Sequence, residues 1–131
     1  MKFRKLGNTG LDVSLIGLGT MTWGEQNSEV EAHTQMDFAV GEGVNIFDAA
    51  EMYPVPPKAE TQGRTEQYIG TWLKNSGKRS QIVLATTCTG PGDFPYLLGW
   101  PRQTLGPLAH AVGGSLKPWP PDRGDLYTNP W

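Results

Sequence analysis

At 131 residues the chain has room for one ordinary domain. Its formal net charge of −2, with no block of like charge, argues against an extended nucleic-acid footprint. One cysteine, Cys88, rules out an internal disulfide and leads us to expect a reducing, cytoplasmic setting.

Lys2, Arg4 and Lys5 are not followed by an apolar run, so no signal peptide is expected, and no stretch is apolar enough to span a bilayer. Residues 3–6 and 11–14 flank the turn residues Gly7, Asn8, Thr9 and Gly10, which predicts a β-hairpin. Residues 15–18 read as a first buried strand, punctuated by Gly17 and Gly19. A helix should begin near Asn27 or Ser28, because Ser28 and Glu31 fit a capping box. Ala32, Met36, Ala39 and Val40 fall at helical spacing as its buried stripe, and Gly43 follows as a C-cap candidate. His33 has no second ligand nearby and reads as a surface residue, so no metal site is expected.

Residues 44–47 form a run of bulky side chains suited to a parallel strand, ending in Asp48, Ala49, Ala50 and, shortly after, Tyr53. An acid at the end of a buried strand costs free energy unless it is paired. Asp48 is therefore either a cap for the following turn or part of a site. A second helix follows a proline loop, with Thr65 as cap and Tyr68, Ile69, Trp72 and Leu73 as its apolar stripe. Gly77, Lys78 and Arg79 end it. Residues 81–86 read as a third strand.

Glycine and proline then divide the chain. Residues 1–89 hold 10 Gly and 3 Pro, whereas residues 90–131 hold 7 Gly and 8 Pro. The second stretch is thus expected to be an irregular C-terminal tail. Gly106, Pro107, Gly113 and Gly114 restrict any helix there to residues 108–112, and Pro118, Pro120 and Pro121 stop it. Residues 125–127 look like the start of a fourth strand.

Three segments, GLGTMTWG at 17–24, FDAAEMYPVPP at 47–57 and ETQGRTEQYIG at 60–70, form an ordered set. Together they resemble the aldo-keto reductase family, most closely its Tas-like branch, collinearly over residues 3–85. The resemblance implies an α/β fold, the N-terminal half of a (β/α)8 TIM barrel, because a complete barrel needs about 250 residues. It also implies that the hairpin plugs the barrel floor. The implied activity is reduction of small aldehydes and ketones with NADPH. By the same resemblance Gly19, Thr20 and Met21 lie beside the nicotinamide. Trp23 either faces the substrate, as the resemblance implies, or is a packed loop aromatic. GLGTMTWG is not the GxGxxG fingerprint of Rossmann folds.

The family chemistry rests on a tetrad of Asp, Tyr, Lys and His. A tyrosine of ordinary pKa is a poor acid at neutral pH, and a cation beside it makes proton donation easier. Asp48 and Tyr53 match the first two members. Where the lysine should follow the third strand the chain has Thr87, and where the histidine should stand it has Pro130. Neither side chain carries a charge. His110 falls too early in the chain for the histidine's place. Three readings follow: the N-terminal portion of a reductase, a non-catalytic remnant or partner-binding half-barrel, or the damaged reading frame of an ordinary reductase. Half a barrel also leaves edges and an apolar inner face, so self-association is expected, with residues 90–131 the most protease-sensitive part.

Overall fold

The computed structural model describes residues 1–87 and 125–128. Two short strands, β1 (Phe3–Lys5) and β2 (Asp12–Ser14), pair antiparallel as the expected hairpin. A separate four-stranded sheet follows in the order β3 (Leu18–Gly19), β4 (Ile46–Ala50), β5 (Val83–Thr87), β6 (Leu126–Thr128), all parallel. Helices α1 (Glu29–Gly41) and α2 (Arg64–Ser76) are the crossovers from β3 to β4 and from β4 to β5. The described residues therefore form an open, partial α/β barrel with a hairpin attached.

Local signals account for the ends of the helices. Ser28 and Glu31 close the capping box on α1 from both sides, and the backbone N–H of Ser28 places Glu31 in reach as an acceptor at 2.7 Å. That N–H and the Ser28 hydroxyl hold the exposed Glu31 carboxyl below its ordinary pKa. Beyond α1, Gly43 takes a left-handed φ of 82° and its N–H reaches the carbonyl of Val40. Gly77 ends α2 the same way, at φ 67° with its N–H on the carbonyl of Leu73.

Strand alternation sets two faces. Leu18, Phe47, Ala49 and Leu84 pack toward the helices, against Ala32, Met36 and Ala39 of α1 and Ile69, Trp72 and Leu73 of α2. Phe47 and Trp72 meet at 5.8 Å between ring centroids, tilted by 45°. The register puts Gly19, Asp48 and Ala85 side by side, and likewise Ala50, Thr87 and Thr128. These residues share the inner face.

Several expectations shift. Residues 15–16 are not in the barrel sheet: the N–H of Leu15 bonds the carbonyl of Lys2, prolonging the hairpin, and both side chains are exposed. The second strand begins at Ile46 and runs through Asp48 to Ala50, so Asp48 lies inside the strand. Asn45 is withheld from it because its side chain clasps the hairpin. Its carbonyl oxygen accepts from the N–H of Ser14 at 2.7 Å and its amide donates to the carbonyl of Asp12 at 2.9 Å. The third strand starts at Val83, after a 3-10 turn over Arg79–Gln81. Thr65 does not cap α2; the left-handed Gly63 precedes the helix and the Thr65 hydroxyl donates to the carbonyl of Trp23 at 2.7 Å. His33 is half-buried between the helices, its Nε2 3.0 Å from the carbonyl oxygen of Tyr68.

The expected open apolar inner face is also corrected. Val44, Phe47, Ile82 and Leu84 belong to the helix-facing core, and on the inner side Ala50, Val83 and Ala85 are buried. The helix expected at residues 108–112, Cys88, His110 and Pro130 lie outside the described residues, as does most of the expected irregular tail. Among the described residues no helix is long and apolar enough to cross a membrane, and no group of three His, Cys, Asp or Glu could hold a metal ion.

Candidate functional site

The site is built at the C-terminal ends of the parallel strands, where a barrel carries its chemistry. Asp48 is fixed by β4, flanked in register by Gly19 and Ala85. Its side chain is exposed, and no ion pair among the described residues involves it. The protein around it still removes enough water to push its carboxyl above the ordinary carboxylate range. Among the described residues Asp48 is thus exposed and has no cation paired with it, where the resemblance implies a buried acid that holds one.

Tyr53 sits one turn beyond the strand. Its N–H bonds the carbonyl of Ala50 at 3.0 Å, and its own carbonyl accepts from the N–H of Gly63 at 3.2 Å. The ring is half-buried. Burial first, and then the charge of Asp48, push its phenol above the ordinary tyrosine value. Both causes oppose ionisation. A general acid works best with a pKa near the operating pH, so Tyr53 is displaced in the wrong direction for proton donation.

Thr87 closes β5 on the same inner face, two residues beyond Ala85. Its hydroxyl lies 2.5 Å from that of Thr128 at the end of β6. Its carbonyl accepts from the N–H of Glu51 at 3.0 Å, which carries the β4–β5 pairing one step past the strand. The position expected for a lysine ammonium thus holds a neutral hydroxyl pair.

The three residues expected beside a nicotinamide divide. A Cβ built on Gly19 meets nothing within 4 Å, so β3 presents an open, flat shelf next to Asp48. Met21 is exposed, and its carbonyl accepts from the N–H of Val55 at 2.9 Å, tying the proline loop to this rim. Thr20 is fully buried and its hydroxyl is committed to the carbonyl of Asp48 at 2.7 Å. It positions the strand carrying Asp48. Gly19 and Met21 fit the flank of a planar ring; Thr20 offers such a ring no side-chain surface.

Trp23 lies wholly within the core, and its indole N–H donates to Gln35 Oε1 at 2.8 Å. Of its two readings, the packed loop aromatic is the one this geometry matches; the ring has no exposed face to turn toward a substrate. The loop around it is tightly held. Gly24, at φ 99°, lies so near Arg64 that an added Cβ would stand 2.6 Å from the Arg64 Cβ. Glu25 pairs with Lys58, which follows the proline loop.

Two positioning residues escaped the sequence reading. Asn45 clamps the hairpin to the start of β4, and its partners lie more than thirty residues away in the chain, so no local pattern marks it. Glu66, buried in the first turn of α2, accepts from the buried Thr86 hydroxyl at 2.9 Å. Its only trace in the sequence is its place in ETQGRTEQYIG.

Comparison with known proteins agrees with this architecture. The sequence model of the Aldo/keto reductase family matches residues 15–105. The chain is 45% identical to protein tas of Escherichia coli over 133 residues, spanning all of this chain and 38% of that protein. It is 35% identical to the uncharacterized oxidoreductase YrpG of Bacillus subtilis, spanning 97% of this chain and 39% of that one. A crystal structure of PA4992 from Pseudomonas aeruginosa, described as a candidate aldo-keto reductase, superposes with a TM-score of 0.72 at 27% identity, covering 97% of this chain and 46% of that chain. The chain therefore spans under half the length of the relatives it matches. With the family model covering most of it, and with Asp48 and Tyr53 set on a partial parallel barrel, the chain belongs to the aldo/keto reductase family.

Proposed function

We propose that this chain carries the proton-donor end of an NADP(H)-dependent carbonyl-reduction site, and that by itself it is catalytically silent. Reduced nicotinamide would supply the hydride. Of the chain's own residues, Gly19 would leave room for the ring, Tyr53 would protonate the carbonyl oxygen and Asp48 would lie beside Tyr53. The observation that carries the silent reading is Thr87 at the end of β5, its hydroxyl against that of Thr128 where the resemblance implies a lysine, and burial and Asp48 push the Tyr53 phenol up beside it. Thr87, the residue that ends β5, carries no positive charge to counter that displacement. General acid catalysis is typically worth about 10²–10⁴-fold, and mistuning the acid removes much of it.

The purified chain is expected to reduce a reactive aldehyde with NADPH far below the usual turnover of roughly 1–10³ s⁻¹. NADPH is likewise expected to quench its tryptophan fluorescence weakly or not at all, since the matched relatives are more than twice as long. Turnover in the usual range, or saturation at micromolar NADPH, would overturn the silent reading.

A further inference from the structure

Between β3 and α1 the chain turns through residues 21–25, and the segment after Tyr53 grips Met21, Trp23, Gly24 and Glu25 in turn. The carbonyls of the first three accept from the Val55 N–H at 2.9 Å, the Thr65 hydroxyl at 2.7 Å and the Arg64 guanidinium at 3.3 Å. Glu25 is gripped through its side chain, by the ion pair with Lys58, 33 residues away in the chain. Both partners of that pair stand on built turns. The Glu25 N–H bonds the carbonyl of Thr22 at 3.2 Å, and the Lys58 carbonyl accepts from the N–H groups of Thr61 at 3.2 Å and Gln62 at 3.0 Å. The pair is also withdrawn from water. Side-chain exposure is 19% at Glu25 and 47% at Lys58, against 61% and 68% at Asp12 and Lys5 of the hairpin pair. Salt and water screen such a pair less than an exposed one.

The loop held in this way carries Tyr53. The Tyr53 carbonyl accepts from the Gly63 N–H, which closes residues 53–63 into one loop, and Val55 and Lys58 both pin that loop to the segment after β3. We propose that Lys58 is a positioning residue for Tyr53: by pairing with Glu25 it keeps the loop closed on residues 21–25 and the Tyr53 ring half-buried. Its bearing on proton donation rests on the function proposed above for Tyr53. The grip on Met21, Trp23 and Gly24 uses backbone carbonyls, which substitutions leave in place, so the Glu25–Lys58 contact is the one that a change of side chain releases at both ends. Burial is the first cause that displaces the Tyr53 phenol, so release of the loop should be legible in the titration of that residue.

Lys58→Gln in the full chain tests this. Exchange of the Val55 N–H, read by NMR, should quicken at least about tenfold, because its bond to Met21 opens with the loop. The Tyr53 phenol, followed in tyrosine labelled with ¹³C at Cζ, should titrate lower than in the unaltered chain as water reaches the ring. The direction is diagnostic, since loss of a cation by charge alone would move a phenol up. The far-ultraviolet circular dichroism spectrum should be kept. Lys58→Arg should behave as the unaltered chain in both readouts, and Lys5→Gln, which breaks the exposed hairpin pair, should leave both unmoved. Neither readout needs turnover, so their failure leaves the proposed function standing, and turnover by the unaltered chain would overturn the silent reading without touching the loop. A Val55 exchange rate or a Tyr53 titration that Lys58→Gln leaves unmoved, a phenol that moves up, a Lys58→Arg chain that behaves like Lys58→Gln, an equal effect of Lys5→Gln, or loss of the folded spectrum would each overturn the proposal.

Discussion

The two faces of β4 and β5 are written by alternate residues of the same ten positions, yet they differ in completeness. The helix-facing side, with Phe47, Ala49, Leu84 and Thr86, is buried, apolar and closed, and its one hydroxyl is matched to Glu66. The inner side, with Asp48, Ala85 and Thr87, sets out an acid and a hydroxyl next to a tyrosine, and none of these side chains is a cation. Packing needs volume and apolar surface, which many side chains supply. Proton transfer needs a particular charge at a particular strand end. At Thr87 a neutral hydroxyl leaves the strand pairing intact without supplying such a charge.

The largest effect should come from breaking the closed face. Phe47→Ala removes a fully buried ring that meets Trp72, and such truncations cost about 3–5 kcal/mol. Urea denaturation followed by tryptophan fluorescence should show the loss, or a chain that no longer folds. A cost below about 1 kcal/mol would mean that this face is looser than its burial implies.

Next is the latch between the first loop and α2. Thr65→Val keeps the shape but leaves the buried carbonyl of Trp23 without its 2.7 Å donor. Leaving such a group unsatisfied costs about 1–3 kcal/mol, again measurable as a shift in urea midpoint. This latch explains why Thr65 is hard to read from sequence. A threonine at the start of a helix looks like a cap, and only the arrival of a loop from some forty residues earlier converts it into a tertiary donor.

The same distinction governs what was legible elsewhere. The hairpin, the Ser28–Glu31 box and the Gly77 terminus are written in residues a few positions apart, and they can be read without a structure. The apolar run at residues 15–18 misleads, because the backbone of Leu15 is drawn to Lys2 and the strand starts only at Leu18. Trp23 could not be settled by pattern, since its indole partner Gln35 is on the next helix. Asp48 and Tyr53 were legible through their motif, but not their electrostatics, which depend on the residues that the fold sets around them.

On the inner face, Asp48→Asn should act in two ways. It removes the negative charge that helps push the Tyr53 phenol up, so the Tyr53 titration should move down. It should also leave the chain slightly more stable at neutral pH. The folded carboxyl is raised above its unfolded value of about 3.9, so the native state gives up stability as pH rises through that window. Thermal melts at pH 7 and pH 3 check the sign: the gain should be present at pH 7 and absent at pH 3.

The smallest effect should be at the α1–α2 seam. Lys78 lies 2.7 Å from Asp37 near the surface and over the Trp72 ring. Its hydrogen bond comes first among the causes holding the Asp37 carboxyl below its ordinary range. Exposed pairs contribute about 0.2–1 kcal/mol, so Lys78→Ala should cost little and less still in high salt. A depressed folded pKa means that whatever the pair contributes is present above the unfolded value of about 3.9 and fades as pH falls below it.

The Tyr53 titration itself reports whether Thr87 leaves the phenol without a countering charge. Tyrosine labelled with ¹³C at Cζ, with Tyr53→Phe to assign the signal, reports the phenol of Tyr53 alone among the four tyrosines. In this chain it should ionise above the ordinary value of about 10, and in Thr87→Lys it should ionise measurably lower. A Tyr53 that already titrates below about 10 in the unaltered chain, or one that Thr87→Lys leaves unmoved, would contradict the account.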